Sequence, residues 1–272
     1  MGIESRKLTK ISGYENSTKI EGDNFFNDQN NAGVLLLLEP ESVYTNGRRN
    51  HGQLTQVEQV AFRDIGAKYY EVKRGGELTY HGPGQLVAYP IIDLKRLKLG
   101  VHDFVSKLEA SVVSTCESYG IKTFVDNRYP GVWATETKKI AATGTHIQRF
   151  ISSHGIALNC QTDLNMFRSI VPCGLVGKTA TSLEAEYSLE SKASIPTPSL
   201  SECIDGEATI SYPNNARNQA ESIFDPFFVS RTLIQSISKS FDANCVPLGL
   251  ISPIMEEYIQ SYMKNKNEVN ST

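Results

Sequence analysis

Little in this sequence points to a membrane, a metal or a nucleic acid. Its longest aliphatic run, Val34 to Leu38, falls far short of the roughly 20 residues that span a bilayer. The five cysteines, at 116, 160, 173, 203 and 245, are odd in number, and no pair has CxxC spacing. Neither a disulfide framework nor a zinc site is therefore expected, and a reducing compartment is favoured. No stripe of Lys and Arg interrupts a chain of formal charge -3, which argues against nucleic acid as a partner. Neither GxxxxGK followed by Ser or Thr nor a strand–GxGxxG–helix unit is present, so no phosphate loop is expected. Arg6 stands where a myristoylation signal needs Ser or Thr. No signal peptide is read at the N-terminus. A mitochondrial presequence gains little support there, because Arg6, Lys7 and Lys10 are offset by Glu4, Glu15, Glu21 and Asp23. The single tryptophan, Trp133, alternates with Val132 and Ala134 and reads as core.

What remains is a chain with enough apolar residues, 40% against 21% charged, to bury a sizeable core. Residues 1–32 are rich in Asn, Ser, Asp and Gly and are expected as a flexible extension. A single domain is expected over 33–264, with a polar, aperiodic insertion at 187–222 and a flexible tail at 265–272. Strands are expected at Gly33 to Glu39, Val43 to Arg49, Tyr69 to Val72 and Leu86 to Ile92. Four more short ones follow at Ile121 to Val125, Gly131 to Thr135, Lys139 to Thr143 and Ser153 to Cys160. A weak helix over 53–63 would use Leu54, Val57, Val60 and Ala61. The strongest helical stripe runs from Val101 to Tyr119 through Phe104, Leu108, Val112 and Cys116, and Gly120 is placed to end it. Further helices are expected at Phe227 to Phe241 and at 254–263. Short strands around one long helix predict a mixed α+β domain.

The chemistry concentrates between Lys139 and Cys173. KIAATG sets Lys139 beside Ala141, Ala142 and Gly144, where little bulk separates backbone from ligand. SHGIALN puts His154 and Gly155 at the head of an apolar run. PCG puts Cys173 on a turn between Pro172 and Gly174. A cysteine on a turn is accessible, and a nearby lysine favours its thiolate. Upstream, RGGELTYHGPGQ packs four glycines and a proline around Arg74 and His81, which lets the backbone turn sharply and approach a ligand. Alone, that stretch reads equally well as a turn-rich linker. His81, His154 and Cys173 lack local metal-ligand spacing, so no metal is expected.

In this order and spacing, RGGELTYHGPGQ, YPGVW, KIAATG, SHGIALN and IVPCG resemble the octanoyltransferase family of lipoate biosynthesis. The resemblance covers about residues 33 to 186. It implies the fold of biotin and lipoate protein ligases, a mixed β-sheet packed with helices. It implies octanoyl transfer from acyl carrier protein to a lysine on the lipoyl domains of 2-oxo-acid dehydrogenase E2 subunits and on the glycine cleavage H protein. No cofactor is implied, since thioester-to-amide transfer is downhill. By position, Cys173 resembles the acyl-thioester nucleophile and Lys139 the lysine that lowers its pKa. Arg74, Gly75, Gly76, Glu77, Leu78, Thr79, Tyr80 and His81 match segments that line the acyl pocket. So do Ala142, Thr143 and Gly144, and His154, Gly155, Ile156 and Ala157. Glu39 is followed by Pro40 where the family usually has His. Thr143 replaces an aliphatic residue, and Ser153 a threonine. An ATP-dependent lipoate or biotin ligase of the same fold is the alternative enzyme, and a non-catalytic carrier-binding module the alternative class. The resemblance places the chain in mitochondria, or in the cytoplasm if it is bacterial.

Overall fold

A computed structural model describes residues 7–13, 32–170, 177–187, 222–243 and 245–247. Cys173, the bulk of the 187–222 insertion, the expected helix at 254–263 and the tail lie outside the described residues.

The domain is built on one large sheet whose central strands are the apolar runs of the sequence. These are β2 (Gly33–Leu38), β6 (Gln85–Ile92), β10 (Ile151–Asn159) and β9 (Lys138–Gln148), each antiparallel to the next. Beyond β9 come β8 (Tyr129–Trp133) and β7 (Phe124–Asp126). Beyond β2 come β1 (Lys7–Gly13) and β12 (Cys245–Pro247). The two-residue β11 (Thr179–Ala180) pairs in parallel with β9 at Lys138 and Lys139. A second sheet has three strands, with β3 (Val43–Asn46) between β4 (Lys68–Glu71) and β5 (Thr79–His81). Mixed sheets packed with helices are thus the α+β architecture expected from the sequence.

One face of the large sheet is covered by two long helices, α2 (Val101–Ser118) and α4 (Pro226–Phe241). Alternation along the strands explains which residues meet them. Leu35 and Leu37, Leu86 and Ala88, and Ile156 and Leu158 join Phe104, Leu108, Val112 and Cys116 in this core. The opposite face looks toward the small sheet. There a second core gathers Tyr44, Phe62, Ala67, Tyr80 and Phe167 beneath α1 (Gln56–Asp64).

Three expectations need correction. Residues 7–13 do not lie in a wholly loose extension, because strand β1 bridges β2 and β12. Of the stripe assigned to 53–63 only Leu54 packs against the core: Val57 is 79% exposed and Val60 48%. The helix is held by Phe62 and by a capping box between Thr55 and Glu58. Strand β9 runs on to Gln148, well past Thr143, because β10 pairs with it as far as Ile151.

Near the middle of β10, His154 adopts φ 58°, a left-handed backbone that non-glycine residues rarely take. Its neighbour Gly155 lies against β6, where a Cβ would collide with the Ala88 carbonyl and sit 2.7 Å from Pro90 Cδ. Both obstacles are held by the sheet and cannot move cheaply. Gly155→Ala is expected to lower unfolding free energy by about 2 kcal/mol or more. Urea unfolding checks this, and a loss under about half that value would show that the β6–β10 contact is loose.

Candidate functional site

Two adjoining cavities open between the large sheet and β5. The first is lined by Thr45, Val72, Arg74, Thr79, His81, Val87, Tyr89, Ala142, Thr143, Gly144, His154, Gly155, Ile156 and Ala157. The second is lined by Lys139 and Trp133, with Phe167, Lys178, Thr179 and Ala180 closing it. Thr79, Ala142 and Ala157 line both. The pairing register puts Ala142 opposite Ala157, and Val87 opposite Ala157 on the other side, so three small or branched side chains floor the space.

Segments far apart in sequence therefore converge on one cavity at Arg74, Thr79, His81, Ala142, Thr143, Gly144, His154, Gly155, Ile156 and Ala157. Gly75, Gly76, Glu77, Leu78 and Tyr80 do not line the cavities. The Gly75 N–H donates to the Thr145 carbonyl at 2.9 Å, and the Gly76 and Glu77 carbonyls accept from Arg49 and Gly47 N–H. Gly76 and Glu77 thus clasp the 47–49 turn, and Gly75 ties the loop to β9. Leu78 and Tyr80 pack in the second core, and Tyr80 alternates with Thr79 and His81 along β5, so it faces away.

Lys139 reaches its cavity through an irregularity in the sheet. Val132 of β8 pairs with Ala141, but Trp133 pairs with Lys139, so one extra residue of β9, Ile140, is inserted. Such a bulge swaps faces. Ala141 and Ile140 join the helical core, whereas Lys139 turns to the cavity side with Trp133. Its Nζ lies 4.7 Å from the Trp133 ring centroid and donates to the Pro130 carbonyl at 2.9 Å. Lys178 Nζ sits 4.5 Å from the same ring centroid and donates to the Glu136 carbonyl. Trp133 is buried as read from the sequence, yet it is also a wall of the site.

Between the cavities runs a chain of buried hydrogen bonds. Arg74 Nη2 is 2.8 Å from Thr45 Oγ1, which is 3.1 Å from His81 Nε2. His81 Nδ1 is 2.8 Å from Gln85 Oε1, Gln85 Nε2 donates to Asn159 Oδ1, and Asn159 Nδ2 donates to the Thr181 carbonyl. The Thr181 N–H in turn donates to the Lys139 carbonyl at 2.8 Å. The Thr181 carbonyl only accepts, which orients both amides and makes Gln85 Oε1 accept from His81 Nδ1, and a neutral His81 ring then offers only a lone pair at Nε2 to the Thr45 hydroxyl. His81 must carry its proton on Nδ1 and accept at Nε2 from the Thr45 hydroxyl.

Burial, more than the Arg74 charge and the nearby His154, lowers the His81 pKa to about 4, against the pull of Gln85. His154 is also lowered, by burial first and then by Arg74 and His146. Both rings are therefore neutral at ordinary pH. Neither is placed as a ready proton donor. Among the described residues no group of three or more His, Cys, Asp or Glu could hold a metal, and no helix is long and apolar enough to cross a membrane.

The model of the lipoyl protein ligase A/B catalytic domain family matches residues 23–201. The chain belongs to that family. It is similar to the octanoyl-acyl-carrier-protein:protein N-octanoyltransferase LIPT2, mitochondrial, of Danio rerio, with 41% identity over 188 residues that cover 68% of this chain and 82% of that protein. It is 52% identical over 118 residues to the "Probable octanoyltransferase" of Schizosaccharomyces pombe, covering 43% of this chain and only 54% of that relative. A solved lipoate-protein ligase A bound with ATP aligns over 76% of this chain and 72% of its own, at 13% identity and a TM-score of 0.49.

Sequence reasoning missed Thr45, Gln85, Asn159 and Lys178. Gln85 and Asn159 did carry a signal, as polar residues ending apolar strands. Lys178 sits in a stretch with no local pattern to mark it.

The depressed His81 pKa has a testable sign. An unfolded histidine takes a proton near pH 6.5 and the folded His81 only near pH 4, so the unfolded chain binds more protons between them. Stability is complete above about 6.5 and falls as pH drops toward 4, by something on the order of 3 kcal/mol for this group. Thermal melts across that window should show a shallower pH slope in His81→Gln than in the native protein. Parallel slopes would mean that His81 is not held neutral.

Proposed function

We propose that the chain transfers an octanoyl group from octanoyl-acyl carrier protein to the acceptor lysine of lipoyl proteins, through a thioester on Cys173. The observation that carries this reading is Lys139, turned by the bulge into a cavity that continues into an apolar slot. An aliphatic acyl chain fits a slot floored by Val87, Ala142 and Ala157. The acceptors are the lipoyl domains of 2-oxo-acid dehydrogenase E2 subunits and the glycine cleavage H protein. The compartment is the mitochondrion, as the name of the Danio rerio relative has it.

The cysteines among the described residues serve this chemistry poorly. Burial pushes the Cys116 thiol up to about 12, raises Cys160 well above its ordinary range, and raises Cys245. A thiol so raised is a poor nucleophile. Support for Cys173 also comes from its neighbours in the chain. The 3-10 helix Leu164–Ser169 brings Phe167 to the Lys139 cavity, and β11 brings Thr179 and Ala180. Described residues on either side of the segment that contains Cys173 thus line that cavity.

In the first step the Cys173 thiolate attacks the thioester carbonyl, the new C–S bond forms, and the carrier's thiolate leaves and takes up the proton Cys173 gave up. In the second, the acceptor lysine's neutral amine attacks. The C–N bond forms, the C–S bond breaks, and the amine's proton returns to Cys173. The Lys139 ammonium favours the thiolate and the negative charge that develops on the acyl oxygen. An ATP-dependent ligase would activate a free acid and needs no nucleophilic cysteine.

Incubation with octanoyl-acyl carrier protein, without ATP, should add one octanoyl group to a Cys173 peptide that hydroxylamine removes. An adduct persisting in Cys173→Ala would sink the assignment, and a requirement for ATP would favour the ligase. In Lys139→Met the pH midpoint of Cys173 alkylation should rise by roughly one unit. An unmoved midpoint would leave the lysine uncoupled from the sulfur.

A further inference from the structure

Glu109 stands on α2 at the position that should be apolar. It follows Leu108 and precedes Val112 on the core stripe and is only 5% exposed. Isolated buried carboxylates are costly, so this one needs a partner. It has one across the sheet: the Gly131 N–H donates to Glu109 Oε1 at 2.8 Å. The carbonyl of the same peptide unit, that of Pro130, accepts from Lys139 Nζ at 2.9 Å. A trans peptide points its N–H and C=O in opposite directions. Glu109 therefore grips one end of the Pro130–Gly131 peptide from the helical face, and Lys139 meets the other end on the cavity face.

We infer that Glu109 is a positioning residue for Lys139, acting through the Pro130–Gly131 peptide. This rests on the role proposed for Lys139 above and adds the group that aims it.

Two observations support it. Gly131 adopts φ 117°, where a Cβ would lie 2.5 Å from the Ala141 carbonyl oxygen and 3.3 Å from Lys139 Cδ. The Ala141 carbonyl leaves no room for a side chain here and the lysine stem runs close by, and a bare glycine is free to rotate unless something holds its amide. Glu109 is what holds it. Burial raises the Glu109 pKa, while Gly131 N–H, the Thr143 hydroxyl and the Lys139 charge pull it back down. The Thr143 hydroxyl, buried beside it, has no hydrogen bond of good geometry, so the Gly131 amide is the firm contact. Carboxylate, peptide dipole and ammonium line up with alternating sign, and each strengthens the next.

The test uses the full chain and ATP-free octanoyl transfer. Glu109→Gln keeps an acceptor oxygen for Gly131, whereas Glu109→Met keeps the length and loses it. Glu109→Met should lower kcat by about tenfold or more, with KM for the octanoyl carrier within about twofold, because a misaimed lysine costs rate rather than binding. Glu109→Gln should stay within about threefold of the native rate. In a Lys139→Met background, Glu109→Met should cost less than about twofold further, since nothing is left to aim. Circular dichroism and melting confirm folding. If the methionine variant does not fold, Glu109→Asp, which withdraws the carboxylate by one methylene, replaces it with the same expectations. A native rate in Glu109→Met would overturn the inference. So would equal damage from the glutamine variant, or an undiminished loss in the Lys139→Met background. A native rate in Lys139→Met alone would instead overturn the role of Lys139, and it is told apart because it involves no change at Glu109.

Discussion

The structure depends on a line of hydrogen bonds that must all be made at once. From Arg74 through Thr45, His81, Gln85 and Asn159 to the Thr181 carbonyl, polar side chains cross the space between two sheets. In so dry a setting a single unmet donor or acceptor costs roughly 1–3 kcal/mol, so the chain is stable only as a unit. That requirement ties β3, β5, β6 and β10 to the segment after β11, and through the Thr181 amide to the backbone of Lys139. It also gives the site its wall. His81 is held by both ring nitrogens, and Glu39 holds the turn that follows it by accepting from the Gly84 N–H.

A single inserted residue does as much for the chemistry. The large sheet separates an apolar face, packed by α2 and α4, from a face with two cavities. Strand alternation would have put Lys139 among the helices with Ala141. Ile140 takes that place instead, and the lysine emerges beside Trp133. The core gains an isoleucine where it would otherwise have buried an ammonium. One bulge thus removes an electrostatic penalty and brings a cation to the cavity.

How much of this could be read from the sequence depends on range. Apolar alternation in QLVAYPII and GIALN reveals strands, and the stripe through Phe104, Leu108, Val112 and Cys116 reveals α2, because those signals are local. Convergence of RGG, KIAATG and SHGIALN was legible only as a resemblance between ordered motifs. Which members of RGGELTYH face the cavity was not legible, because GG hides where β5 begins and therefore the parity of Tyr80. Glu109 was visible as a charge inside an apolar arc but had no partner in sequence. Its partner is a backbone amide, which every residue but proline possesses and no motif can advertise. The bulge at Ile140 leaves no mark at all, since KKIAA alternates no better on one reading than on the other.

Trp133 is the chain's one tryptophan, and it stands with two ammonium groups within 5 Å of its ring centre. An indole's emission responds to the electric field across its ring. Light at wavelengths that excite only tryptophan therefore interrogates one place in this molecule, the wall between cavity and core. Twelve tyrosines spread over the chain contribute nothing at those wavelengths. Any acyl chain, carrier arm or peptide that enters beside Lys139 changes the field and the solvent that this ring senses, so the protein carries an optical gauge of its own site without any added label.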